Sequence, residues 1–200
     1  MILLRAADRQ AEPWRNGGGV TYPVAAEPAG TAADFGWRVS IAEIASDGPF
    51  SRFDEVDRQI TVVSGAGVEL TVDGRRHELR PGTVLAFTGE ATVTSRLLDG
   101  PTLDLNLMTR RSRFRGSLTV RPVPAEGCDL VLDAPESLVL ALAGGLRVSD
   151  RAGHDAVLSE LDAVRLDSAS VVRARPDFAS VDGGRVAVIE LWPWEDRGAG

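Results

Sequence analysis

Arg38, Ser40, Asp104 and Asn106 are the residues of this 200-residue sequence whose types and spacing come closest to a binding site. In WRVSIAEI (37–44) a period of two puts Arg38 and Ser40 on one strand face, with Glu43 on the opposite face beside Trp37. In LDLNLM (103–108) the same period puts Asp104 and Asn106 on a common face. GPFSRF (48–53) supplies Ser51 and Phe53, and the pair Asp57-Arg58 follows. Turned into a barrel, such polar groups need partners or a ligand; turned outward, they are ordinary solvent-side residues. A further stretch, Trp14-Arg15-Asn16-Gly17-Gly18-Gly19-Val20-Thr21, has three consecutive glycines. Such a run lets backbone N–H groups converge on an anion. Trp14, Asn16 and Thr21 add a stacking face and polar groups around the same bend. No Lys-Ser/Thr follows, so this is not a P-loop, and a plain flexible loop reads the same way.

Other chemistries find little support. Small double-sheet β proteins often hold a metal on three His and one Glu, but His77 and His154 are the only histidines and form no His-x-His pair. No metal or cofactor is expected. The single Cys128 has no histidine near it in sequence, and no Gly-x-Ser-x-Gly elbow occurs. The net charge is −7, and all 22 basic residues are arginine. That balance offers no footprint for a polyanion, so nucleic acid is not an expected partner. The cluster Arg110, Arg111, Arg113 and Arg115 reads as a solvated strand end or an anion contact. No apolar run approaches the roughly 20 residues of a membrane helix. MILLRAADRQ reaches charge too soon for a secretory leader, and one cysteine forms no internal disulfide. No membrane association is expected, and the cytoplasm is the expected compartment.

The elements that must position these residues are strands. Runs rich in Val, Ile, Leu and Thr recur between glycines and prolines at 37–44, 59–65, 68–74, 83–89, 91–98, 102–108, 138–144, 146–149, 163–167, 170–175 and 185–192. Asp73-Gly74 is a hairpin turn, and Arg80-Pro81-Gly82 another turn. Short helices are expected only around 5–10 and 153–161. The predicted class is all-β, of jelly-roll or barrel type. ITVVSGAGVELTV (60–72) aligns with LVLALAGGLRVS (138–149) when Gly65 is matched to Gly144, an offset of 79. The same offset lays LRPGTVLAF over LSELDAVRL. Two β-sandwich units are therefore expected, at 1–115 and 138–195, with 116–137 as connector and a disordered tail at 196–200.

WRNGGGVT, WRVSIAEI, DGPFSRF, Asp57-Arg58 and GPTLDLNLMTRR (100–111), in this order and spacing, resemble the HutD/Ves family. The specific likeness covers about residues 12–113. The family commonly has Lys at Arg15, Gly near Glu55 and Phe at Leu105; none of these departures touches the polar residues. The resemblance implies a cupin-superfamily fold with two cupin-like units (a bicupin) and no catalytic metal. It implies a regulator of bacterial histidine utilisation that senses a small anionic metabolite of the urocanate or formylglutamate class. The implied ligand-binding residues are Trp14, Asn16, Gly18, Thr21, Arg38, Ser40, Glu43, Ser51, Phe53, Arg58, Asp104 and Asn106. Arg58 or Arg38 would grip a carboxylate bidentately, Asn16, Ser40 and Asn106 would orient it, and Trp14 and Phe53 would wall it. Two rivals stand beside this. One is a metal-free cupin enzyme, an isomerase or lyase on a small carboxylate or sugar, with Glu43 or Asp104 as base. The other is a structural or partner-binding module. Oligomeric state is open, with a strand-edge homodimer among the options.

Overall fold

The computed structural model describes residues 1–14, 17–28, 34–177 and 184–194. Apart from one 3-10 turn at Ala6–Asp8, the regular elements are strands, and they form four antiparallel sheets. Sheet I has the order β5 (Gly48–Pro49), β10 (Val93–Leu97), β7 (Val68–Val72), β8 (Arg75–Leu79). Sheet II has the order β2 (Glu12–Pro13), β3 (Gly19–Glu27), β4 (Trp37–Ile44), β11 (Thr102–Arg110), β6 (Val56–Ser64), β9 (Val84–Thr88). Sheet III has the order β1 (Ile2–Leu4), β17 (Ala163–Leu166), β14 (Glu136–Ala143), β19 (Gly184–Pro193), β12 (Phe114–Val123). Sheet IV has the order β13 (Cys128–Leu132), β18 (Ser170–Pro176), β15 (Leu146–Asp150), β16 (Asp155–Leu158).

Three apolar layers stack these sheets in the order I, II, III, IV. Ile44, Ile60 and Val62 of sheet II meet Val68, Leu70 and Val93 of sheet I. The opposite face of sheet II, with Trp37, Val39, Ile41, Leu105 and Leu107, packs on Leu138, Leu140, Ile189 and Leu191 of sheet III. Val139, Ala141, Val186 and Val188 turn the other way, onto Leu130, Leu146, Val148 and Val172 of sheet IV. Strands β4 and β11 are thus buried on both faces. A strand covered on both sides has no solvent face for its polar residues, so Arg38, Ser40, Asp104 and Asn106 lie inside the protein.

Each segment read as a strand is a strand, with ends shifted by a few residues. Asp73 and Gly74 both have positive φ, 46° and 81°, as the tight turn between β7 and β8 requires. Several expectations are corrected. The stretch 116–137 is not a simple connector, because it holds most of β12 and all of β13. The N-terminal β1 joins sheet III through β17, far along the chain. Residues 153–161 form β16 instead of a helix, and 5–10 form only the 3-10 turn. The glycine-run segment leads straight into β3 instead of a long loop. Gly19 pairs with Ile44, and a Cβ there would lie 2.2 Å from the Glu43 carbonyl and 3.1 Å from the Trp14 ring. Close approach of backbones explains that glycine without an anion nest. The tail at 196–200 lies outside the described residues. Among the described residues no helix is long and apolar enough to cross a membrane.

Candidate functional site

Strand pairing sets the site out in rows across sheet II. On the face turned toward sheet I, Met108 of β11 lies between Arg38 of β4 and Arg58 of β6. Asn106 lies between Ser40 and Ile60, and Asp104 between Ala42 and Val62. β3 extends the third row with Thr21 beside Ala42, and β9 extends the first with Phe87 beside Arg58. Moving along the strands, the apolar side chains that seal sheets I and II together give way to these polar ones. A cavity of about 550 Å³ opens there, within the range of small-molecule sites.

The segment 48–55 forms one wall. Its backbone is fixed by Phe50 N–H donating to Val93 O (2.9 Å) and Phe53 N–H to Gly89 O (2.8 Å). Its far end is tied by Glu55 N–H donating to Glu90 Oε1 (2.7 Å), while Glu90 is itself held by Arg111. Trp14 forms another wall. Its indole N–H donates to Thr21 Oγ1 (2.8 Å), and its ring meets Phe50 edge-on at 6.3 Å.

Two arginines dominate the electrostatics. Arg58, 5% exposed, sits against the rings of Phe87, Phe50 and Phe53 at 5.0, 5.3 and 5.5 Å. Its Nη1 donates to Ser51 O (3.2 Å), and its buried Nε has no partner. Arg38 lies over Phe35 and Phe53 at 5.3 and 5.8 Å, donates Nη2–H to Met108 Sδ (3.3 Å), and likewise has an unpartnered buried Nε. Phe53 therefore serves both cations, and the ring faces stabilise guanidinium charge from which water is excluded at Arg58 and partly excluded at Arg38. Burial drives Arg58 down to about 10, partly opposed by Asp104 and reinforced by Arg38. Burial lowers Arg38 as well, with Glu12 acting against it. Asp104, 2% exposed, is pushed up to about 7 by burial, against the pull of Arg58. Among the described residues no ion pair joins Asp104 to either arginine. Buried Arg58 and half-buried Arg38 thus share a cavity with two carboxyls, Asp104, which burial pushes toward neutrality, and Glu12 at the lining. Such a lining is suited to accept an anion.

Trp14, Thr21, Arg38, Ser40, Ser51, Phe53, Arg58, Asp104 and Asn106 line this cavity, drawn together from four separate stretches of chain. Gly18 and Glu43 do not line it. Gly18 uses its carbonyl to accept from Ala45 N–H (3.0 Å), and Glu43 projects from the Trp37 face of β4. Glu43 is thereby removed as a base for this site. Asn16 lies outside the described residues. Glu12, Phe50 and Phe87 are lining or caging residues absent from the sequence-based set. Phe50 stood inside the GPFSRF motif, whereas nothing around Glu12 or Phe87 marked them.

The lining does not fit a metal. It offers no imidazole or thiolate, and its buried carboxyl has two guanidinium groups in the same cavity. Among the described residues no cluster of three or more His, Cys, Asp or Glu is placed to hold an ion. His154 is exposed and bonded through Nδ1 to Asp150 (2.8 Å) at a turn. The arginine cluster after β11 is a surface network. Arg111 holds Asp57 and Glu90, Arg113 holds Asp34, and Arg115 stacks on Trp192 at 4.7 Å.

Comparison with known proteins places this geometry in context. A protein from Pseudomonas putida described as an uncharacterized 21.2 kDa protein in the hutC 3' region is 43% identical over 117 residues, 58% of this chain and 62% of that one. Protein Ves of Cronobacter sakazakii is 38% identical over 140 residues, 69% of this chain and 74% of its own. The crystallised HutD of Pseudomonas fluorescens SBW25, in a formate condition, superposes with a TM-score of 0.81 at 33% identity, covering 97% of this chain and 99% of that one. A cupin 2 conserved barrel domain protein from Leptotrichia buccalis, at 12% identity and a TM-score of 0.57 over 90% of this chain and 91% of that one, shows that the fold is cupin-like. The HutD family model matches residues 6–181, and the chain belongs to the HutD family.

Proposed function

We propose that this protein binds a small carboxylate metabolite between sheets I and II without converting it, and that binding serves regulation of histidine utilisation. One observation carries the reading: buried Arg58 and half-buried Arg38 line one cavity, caged by phenylalanines, with buried unpartnered Nε atoms and, among the described residues, no carboxylate ion-paired to either. A planar fork with free N–H donors matches a carboxylate bidentately. The urocanate or formylglutamate class is what the family resemblance implies, and the P. fluorescens relative carries the name HutD.

The chain is further read as two cupin-like units, sheets I and II and sheets III and IV. Strand order supports this: β4-β11-β6-β9 in sheet II is matched by β12-β19-β14-β17 in sheet III, and β5-β10-β7-β8 by β13-β18-β15-β16. Under that match Arg58 corresponds to Ser137, Asn106 to Val188 and Asp104 to Val186. At these positions the second sandwich carries two valines and a serine where the first keeps an amide and two charged groups. The fold therefore does not need those polar groups; a ligand does.

Isothermal titration calorimetry with urocanate and formylglutamate tests the reading. Saturable binding that Arg58→Ala weakens by roughly 1.5–3 kcal/mol, the range for hydrogen bonds to charged groups, is expected. No heat at millimolar ligand would refute it. A second reading, a metal-free isomerase or lyase, is favoured by Asp104, whose carboxyl near 7 suits a general base. It requires turnover of the bound carboxylate that Asp104→Asn abolishes.

A further inference from the structure

We propose that the carboxylate ligand enters this cavity together with one proton from solvent, and that Asp104 is the group that holds it. The inference rests on the carboxylate-binding reading and adds a linked proton to it. Asp104 is buried in the third row of the site, between Ala42 and Val62, neither of which can hydrogen-bond through its side chain. The charged groups that line the cavity with it are Arg58 from β6 and Arg38 from β4, two rows along the same sheet face, and Glu12 from β2. The remaining walls, from β3 and the segment 48–55, are uncharged: Thr21, Phe50, Ser51 and Phe53. The ionised form of Asp104 is thus supported chiefly by the positive charge of Arg58.

A ligand carboxylate that pairs with Arg58 and Arg38 takes that support away and adds a further anion close to buried Asp104. Two carboxylates sharing a site do not both stay ionised without a large penalty. The ligand's carboxylate is the one gripped by guanidinium forks, so the proton settles on Asp104. Its carboxyl already titrates near neutrality at about 7, which puts the neutral form within easy reach. Once protonated, Asp104 turns from an acceptor into an O–H donor. Asn106 Oδ1, buried two residues along the same strand face without a partner, is an acceptor on that floor. Ligand binding raises the affinity of Asp104 for its proton, so by linkage binding takes up a proton and weakens as pH rises.

Calorimetric titration with N-formylglutamate tests this, because its own carboxyls titrate well below pH 6. Binding to wild type is expected to be about tenfold weaker at pH 8 than at pH 6. At pH 7, titrations in two buffers of different ionisation enthalpy should report about half a proton taken up per ligand. Asp104→Asn should bind with a flat pH profile, at the affinity wild type shows at pH 6. If that variant does not fold, the two-buffer measurement on wild type decides alone. Intact binding, lost in Arg58→Ala, with neither pH dependence nor proton uptake would overturn the proposal and leave the carboxylate reading standing. A pH dependence that survives in Asp104→Asn would overturn it too. Absence of binding at pH 6 would instead overturn the carboxylate reading, and this proposal with it.

Discussion

Arg58 and Asp104 illustrate how differently one cavity treats a cation and an acid. The guanidinium is wrapped in three phenyl rings that partly replace water. The carboxyl has no comparable support and is driven toward its neutral form. This has a consequence for stability. The folded value of Asp104, about 7, lies above its ordinary value of 3.8, so the native state holds a proton that the unfolded chain has released. The contribution is therefore most favourable below pH 4 and is lost as pH rises toward 7, at up to about 1.4 kcal/mol per pH unit. Asp104→Asn should remove that slope, and urea denaturation at pH 5 and pH 8 reads it directly. An unchanged slope would mean that Asp104 is ionised at little expense. Arg58→Lys is expected to restore little of the ligand affinity that Arg58→Ala loses, because an ammonium lacks the planar fork.

At the scale of elements, the site depends on a glycine and a wall. Gly19→Ala would drive a methyl into the Glu43 carbonyl and the Trp14 ring, pushing β3 from β4. A loss of about 1–3 kcal/mol is expected, the range for overpacking, together with a change in Trp14 fluorescence. Glu55 adopts φ 59°, a left-handed conformation that side chains with a Cβ disfavour. Glu55→Gly should stabilise the protein by about 1 kcal/mol in thermal or urea unfolding; a destabilised variant would show that the Glu55 side chain is needed there. These two positions also show what a sequence can and cannot disclose. Alternation in 37–44 and 102–108 revealed which residues share a face, because that depends only on the two-residue period. Which face is covered depends on sheets I and III, assembled from distant segments, so alternation alone does not decide the inward turn of Arg38 and Asp104. Pro23 masks the strand character of the segment after the glycines, and a register shift at 23–25 accommodates that proline. Pro122 is tolerated because β12 is an edge strand. The charged RRHEL of β8, also an edge, lacked the alternation by which strands are recognised.

Across the whole molecule, the arginine-lined cavity sits on one face of sheet II while the other face packs on sheet III. Trp37, the neighbour of Arg38, turns into that interface. Its indole N–H donates to Glu136 Oε2 (3.2 Å), and Arg165 both stacks on Trp37 (5.2 Å) and pairs with Glu136 (2.5 Å). Gln59 of β6 reaches across in the same way, donating to Gly116 O (2.8 Å) and accepting from Leu118 N–H (2.9 Å). A fragment of residues 1–115 would expose Trp37, Val39, Ile41, Leu105 and Leu107 as one apolar patch and should aggregate when expressed alone. A soluble, cooperatively folding fragment would contradict that. The family and the all-β class were legible from local motifs and turn chemistry. The shared core of sheets II and III was not, since it joins residues on either side of the expected connector. The central claim, that buried arginines hold a carboxylate, is tested most directly by a crystal structure of the protein with formylglutamate. A carboxylate within about 3 Å of the guanidinium nitrogens of Arg58 and Arg38, inside the cavity, is the expected result. Ligand density found only elsewhere, for example in a second cavity lined by Asp150 and His154, with the arginine cavity holding only water, would contradict it.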